Sequence, residues 1–161
     1  EWAGRLGLNL MSSTALTEDA GMPFHELQAE QILRFREAYR AAGHKGAPRV
    51  SVSRSIFPIV NATDAAYFGH RSMTQSRDSY GIMDGFRSTS GRTYAAEPDK
   101  LIEELKQDKA IALADTLMLT IPNQMGPEYN LHVLESFARH VAPALGWKPS
   151  HLGPVMGDPI N

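Results

Sequence analysis

Apolar positions along the chain switch between two spacings. Short β-leaning runs are followed by polar loops, and then by stretches whose apolar residues recur at helical intervals. EWAGR reads as the end of a helix, and Leu8 to Ser13 predicts a first strand with a polar tip. PFHELQAEQILRFREAYRAAG places Leu27, Ile32, Phe35 and Tyr39 near helical spacing. A helix is therefore expected from Pro23 to Ala42, with Pro23 in its first turn and Gly43 as its stop. RVSVSRSIFPIV predicts a second strand, Arg49 to Val60. Its regular pairing should end near Pro58, which has no N–H to donate. Asn61 or Thr63 can cap a short helix from Asp64 to Phe68.

The stretch Gly69 to Gly91, rich in Ser, Arg, Gly and Asp, is too long for an ordinary connector. Such loops are either functional or disordered. It has room for a short helix, Asp78 to Phe86. A brief third strand, Arg92 to Ala96, leads to a helix from Pro98 to about Leu113. TLMLTI gives the clearest strand, Thr116 to Ile121. The last helix is expected from Pro127 to about Leu145, with Leu131, Leu134, Phe137, Ala138 and Val141 as one apolar stripe and Gly146 ending it. From Trp147 the proline-punctuated chain reads as an extended tail.

Strands alternating with helices imply an α/β fold with parallel strands and right-handed crossovers. Four such units make half of a (β/α)8 TIM barrel, with residues 1–147 as the half-barrel and 148–161 as the tail. A half-barrel leaves two open strand edges, so self-association into a homo-oligomer is expected. The opening in mid-fold suggests that the 161 residues are a piece of a larger protein.

Composition narrows the classes. Hydrophobic residues make up 42% and charged residues 21%, enough for a soluble globular core. The net charge of -2 argues against nucleic acid as a partner. No run reaches the roughly 18 apolar residues of a membrane span. With no Cys, disulfides, thiolate nucleophiles and Cys–zinc sites are excluded, and the cytoplasm fits. No two of the six His form an i,i+4 ligand pair with a carboxylate, so no metal site is expected and they read as surface or structural residues. Asn61-Ala62-Thr63 matches a glycosylation sequon and reads as a chance match. Neither a Gly-x-Ser-x-Gly elbow nor a Gly-rich phosphate fingerprint is present.

Some residues stand out for chemistry. Ser12, Ser13 and Thr14 tip the first strand, either as hydrogen-bonding ligands or as a loop opening or cap. Arg54 lies in a buried strand, which is costly unless it is paired. It either holds an anionic group or forms a structural salt bridge. Arg87 and Arg92 flank the end of the long loop, which is a lid or a solvated loop. Tyr80 and Phe86 would be the lid's apolar face. Ile121, Pro122 and Asn123 end the fourth strand.

These segments, in this order, are similar to one family. EWAGRLGLNLMSST resembles the fifth-strand region of the bacterial luciferase-like flavin-dependent monooxygenases. PRVSVSRSIFPIVNATDAAYFG resembles their sixth strand and its helix. Ala96-Glu97-Pro98-Asp99 stands where the family has a Gly-Thr-Pro-Glu segment. ADTLMLTIPNQMGPEYNLHVLESFARHVAPALGW resembles the eighth strand and terminal helix. The resemblance covers the chain up to Trp147.

It implies a TIM barrel that binds reduced FMN at the C-terminal ends of its strands. A separate flavin reductase would supply the FMN, and oxygen would be used on a small organic substrate. Two alternatives come with it: a deazaflavin-dependent hydride-transfer enzyme, and a non-catalytic flavin-binding or partner subunit. Ser12, Ser13 and Thr14 would contact the flavin, and Arg54, Arg87 and Ile121 the substrate. Ile56 stands where sulfonate-oxidising members carry a histidine, which counts against a sulfonate. The family's phosphate loop would lie upstream of Glu1, so weak flavin binding and no activity are expected of this chain alone.

Overall fold

In a computed structural model, described for residues 1–17, 21–74 and 77–149, strands and helices alternate along the chain. A short helix α1 (Trp2–Arg5) precedes strand β1 (Leu10–Ser12) and the two-residue β2 (Ala15–Leu16). Helix α2 (Phe24–Ala41) leads to β3 (Val50–Arg54) and β4 (Ile56–Pro58), and then to α3 (Ala62–Thr74). A hairpin follows, β5 (Ser79–Met83) and β6 (Phe86–Ser90), and then β7 (Tyr94–Ala96). Helices α4 (Pro98–Lys106) and α5 (Lys109–Leu113) precede β8 (Thr116–Leu119). Helix α6 (Gly126–His140) and a 3-10 turn at Ala142–Leu145 close the described chain.

β1, β3 and β8 form a parallel sheet with β3 in the middle, registered through Leu10 on Val50, and Ser51 on Thr116. Side chains alternate across a strand, and the two faces differ sharply. Val50 and Val52 pack with Ile32 and Phe35 of α2 and Ala110 of α5, and Leu10 and Leu117 join them. The opposite face carries Met11, Ser51, Ser53, Thr116, Met118 and Thr120, with the Ser53 and Thr120 hydroxyls 3.0 Å apart. Met11 is 71% exposed there. A second core gathers Ile56, Tyr94, Leu101, Leu105, Phe137 and Val141 around the parallel β4–β7 pair. A third stacks Phe57 on Phe68, with ring centroids 4.3 Å apart.

The fold is thus α/β, with parallel strands in two sheets as the pattern predicts and an antiparallel third sheet, β2–β6–β5, that it does not, and the strand order is not that of four successive barrel strands. That order would seat the third strand beside the fourth. Here β8 pairs with β3, while β7 pairs with β4 in a separate two-stranded sheet.

Other differences have local causes. The expected strand Arg49 to Val60 is two strands with a break at Ser55, and pairing does end at Pro58. The expected helix Pro98 to Leu113 is two helices. Asp108 ends the first by capping the second, its carboxylate accepting from the Ala110 and Ile111 N–H groups. The expected short helix Asp64 to Phe68 runs further, from Ala62 to Thr74, and Asn61 is its cap, accepting from the Asp64 N–H at 2.9 Å.

In place of a helix over Asp78 to Phe86 there is the hairpin, whose turn residues Asp84 and Gly85 both have positive φ, 52° and 81°. That conformation matches the twist of the strands it joins. In α6 the buried residues are Val133, Ser136 and Phe137. Leu131 and Leu134, expected in the stripe, are 56% and 40% exposed. Gly4 lets α1 approach α2 closely, since a Cβ there would lie 2.5 Å from the Phe35 carbonyl oxygen. The expected tail from residue 150 onward lies outside the described residues.

Candidate functional site

A cavity of about 560 Å³ lies where the start of α2, the root of the hairpin and the α4–α5 junction meet. Its floor is a buried ionic knot. Arg54 donates from Nε to Asp108 Oδ2 at 2.7 Å and from Nη2 to Asp108 Oδ1 at 3.0 Å. The Tyr94 hydroxyl donates to the same carboxylate at 2.8 Å. The Phe24 ring lies against the guanidinium, 5.5 Å from ring centroid to Cζ. Burial alone would raise the Asp108 pKa. The Arg54 hydrogen bonds and charge, with the Ile111 N–H, outweigh it and hold the carboxyl below the ordinary range. Burial, and then the Asp108 charge, push the Tyr94 phenol up to about 12.

The walls are polar and aromatic. Asp78 accepts from the Phe24 N–H at 2.7 Å and from the Arg92 N–H at 3.1 Å. It therefore caps α2 from a distant part of the chain and ties that helix to the end of the hairpin. The Arg92 guanidinium lies 4.3 Å from the Tyr94 ring centroid and reaches Glu104 at 3.2 Å. His25 accepts the Lys109 N–H at Nδ1, 3.2 Å away, which places the neutral ring's proton on Nε2. Gly91 gives the Phe24 ring its place, since a Cβ there would come within 2.6 Å of it. Arg77 lines the cavity and makes no hydrogen bond or ion pair among the described residues.

Of the six residues expected to contact flavin or substrate, Arg54 alone lines this cavity, joined there by Arg92 and Tyr80 from the stretch read as a lid. It is 2% exposed and committed to Asp108. The expectation that it contacts a substrate therefore gives way to the salt-bridge alternative. Ser12 is buried and faces α2, its hydroxyl accepting from Gln28 Nε2 at 2.7 Å. The same amide donates to the Ser13 carbonyl at 2.8 Å, and the buried Gln28 Oε1 has no hydrogen-bond partner among the described residues. Ser13 is exposed, and Thr14 is half-buried with its carbonyl accepting the Gly91 N–H. Arg87 sits on β6 opposite Ile82, beside a shallower hollow, and Ile121 is half-buried just past β8. These positions are not brought together around one cavity.

Sequence reasoning missed Asp108, Tyr94 and Asp78. Each makes its key contact far along the chain, and the only local signal was an acid before LysAlaIleAlaLeu, a helix-cap pattern. A second missed cluster joins α3 to α6. Buried Asp64 accepts from the Val60 N–H, from the Tyr129 hydroxyl and from His132 Nε2 at 2.9 Å. Burial would raise the Asp64 pKa, but these hydrogen bonds lower it, while burial and Asp64 raise Tyr129. Among the described residues no group of three or more His, Asp or Glu is placed to hold a metal ion, and no helix is long and apolar enough to cross a membrane.

No protein-family profile matches the chain, and no curated protein matches it. Among solved structures it is similar to the crystal structure of monooxygenase RslO1 from Streptomyces bottropensis, with 18% identity and a TM-score of 0.48. The match covers 88% of this chain and 43% of that one, so the chain spans less than half the length of that protein.

Proposed function

We propose that the chain is part of a flavin-dependent oxidoreductase, with FMN as cofactor and oxidation of a small organic substrate by oxygen as the reaction. The observation that carries this reading is the lining of the cavity. Tyr80 offers an exposed aromatic ring, above the buried rings of Phe24 and Tyr94, beside Arg77, a guanidinium with no partner among the described residues. FMN joins a planar ring to a phosphate, and these residue types suit both. The segments similar to the luciferase-like family point the same way.

When bound, the reduced flavin supplies the electrons for oxygen chemistry. The chain's own residues bind, orient and shield. Arg77 offsets the phosphate charge. The Arg54–Asp108–Tyr94 knot fixes the floor, and the hairpin roofs the cavity against water. A separate reductase and a cytoplasmic setting belong to the same reading.

Titration of the 161-residue chain with oxidised FMN, followed by flavin fluorescence, tests it. Weak, saturable quenching is expected, and Arg77→Gln should weaken it roughly tenfold, the effect of losing one charge-assisted hydrogen bond. No quenching at millimolar FMN, or an unchanged curve for Arg77→Gln, would overturn the assignment.

A further inference from the structure

We propose that β5 is a self-pairing edge through which two copies of this chain join about a two-fold axis. The strand SYGIM ends the antiparallel sheet β2–β6–β5 and has no partner on its outer side among the described residues. All five of its residues are exposed. It contains no proline and no charge, the devices that natural edge strands use to refuse a partner.

The turn sets which backbone groups are free. Met83 faces Phe86 across the two-residue loop, so Met83, Gly81 and Ser79 exchange their hydrogen bonds with β6. Tyr80 and Ile82 therefore point their N–H and C=O groups outward. An antiparallel copy centred on Gly81 places Tyr80 of one chain opposite Ile82 of the other, and each such pair exchanges both of its hydrogen bonds. The edge is thus its own complement, as an isologous interface requires.

Side chains support the same axis. Tyr80 and Ile82 share one face of the strand and are 62% and 79% exposed. Across the axis they form an aromatic–β-branched cluster with their counterparts, a favoured cross-strand pairing. Met83 and Phe86, 38% and 65% exposed, lie on the other face. Antiparallel pairing covers only part of the exposed surface of Tyr80, Ile82 and Met83 in each copy, less than the roughly 1,000 Å² of a stable interface, so the backbone hydrogen bonds of the edge carry the association. A reversible, concentration-dependent dimer is the outcome that area supports. The inference stands without the cofactor reading, but the two share Tyr80, which lines the cavity as well as the edge.

Gly81→Cys tests it directly. Facing Gly81 residues would form a pair that shares no hydrogen bond, with Cα atoms about 4.5 Å apart, within disulfide reach. The new side chain meets nothing closer than the Ser88 hydroxyl at 3.7 Å, and the chain has no Cys, so any disulfide must join this position in two copies. Mild oxidation should convert most of Gly81→Cys to a covalent dimer. Ser79→Cys should stay monomeric, because its counterpart lies about 13 Å along the ladder. In sedimentation velocity the parent should show a dimer that grows with concentration, and Ile82→Lys should shift it to monomer with unchanged circular dichroism. Equal cross-linking of the two cysteine variants, or undiminished association of a folded Ile82→Lys, would overturn the proposal. If Ile82→Lys does not fold, the cysteine pair decides.

Discussion

Arg54 and Asp108 set the energetics of the cavity floor. Their side chains are 2% and 0% exposed, so neither charge has water to fall back on. Removing one partner of a buried pair strands the other, at a cost of about 3–5 kcal/mol. Asp108→Ala also removes the cap of α5. Its loss of stability in urea unfolding should therefore lie at the upper part of that range. Half of this pair was legible in the sequence, because an arginine amid Val50, Val52 and Ile56 demands a partner. The partner was not legible: Asp108 sits 54 positions away, in a stretch that read as one continuous helix. Ser12 was misread for a related reason. The polar tip was noticed, but strand alternation turns Ser12 with Leu10 toward α2, and Met11 takes the open face.

At the scale of elements, glycines and their neighbours decide the outcome. Gly43 stops α2 with a φ of 79°, where the sequence predicts a stop, whereas α6 ends at His140, and Gly146, with a φ of 89°, ends only the 3-10 turn that follows. The hairpin was equally well signalled by Asp84-Gly85 between two β-forming runs, a strong short-range hairpin cue. The polar composition of Gly69 to Gly91 hid it. Two substitutions separate backbone strain from helix propensity. Gly85→Ala places a Cβ at φ 81° and should destabilise by about 1 kcal/mol. Gly69→Ala, inside α3 with nothing within 4 Å of the new Cβ, should stabilise by roughly 0.5–1 kcal/mol. Thermal unfolding of the two variants should move in opposite directions.

Across the whole molecule, three apolar clusters are pinned by two buried carboxylates, Asp108 and Asp64. Both have folded pKa values below their ordinary ones. On acidification the unfolded chain binds these protons first, near pH 4, so stability is present above that value and is lost as pH falls through the folded pKa values. Urea midpoints measured from pH 7 down to 3 should hold steady and then drop below about pH 4. Asp108→Asn should start lower and fall less steeply. The alternation of strands and helices, and hence the parallel sheet, was legible in the spacing of apolar residues. The strand order was not, because β7 has three residues and nothing local tells it to pair with β4 while β8 pairs with β3.

One carboxylate gives the molecule a mechanical property. Asp78 holds the first turn of α2 with one oxygen and the Arg92 end of the hairpin with the other. Roof and wall of the cavity are thereby geared together. The hairpin cannot swing from its root without uncapping the helix, so any opening of the cavity there breaks both Asp78 hydrogen bonds together.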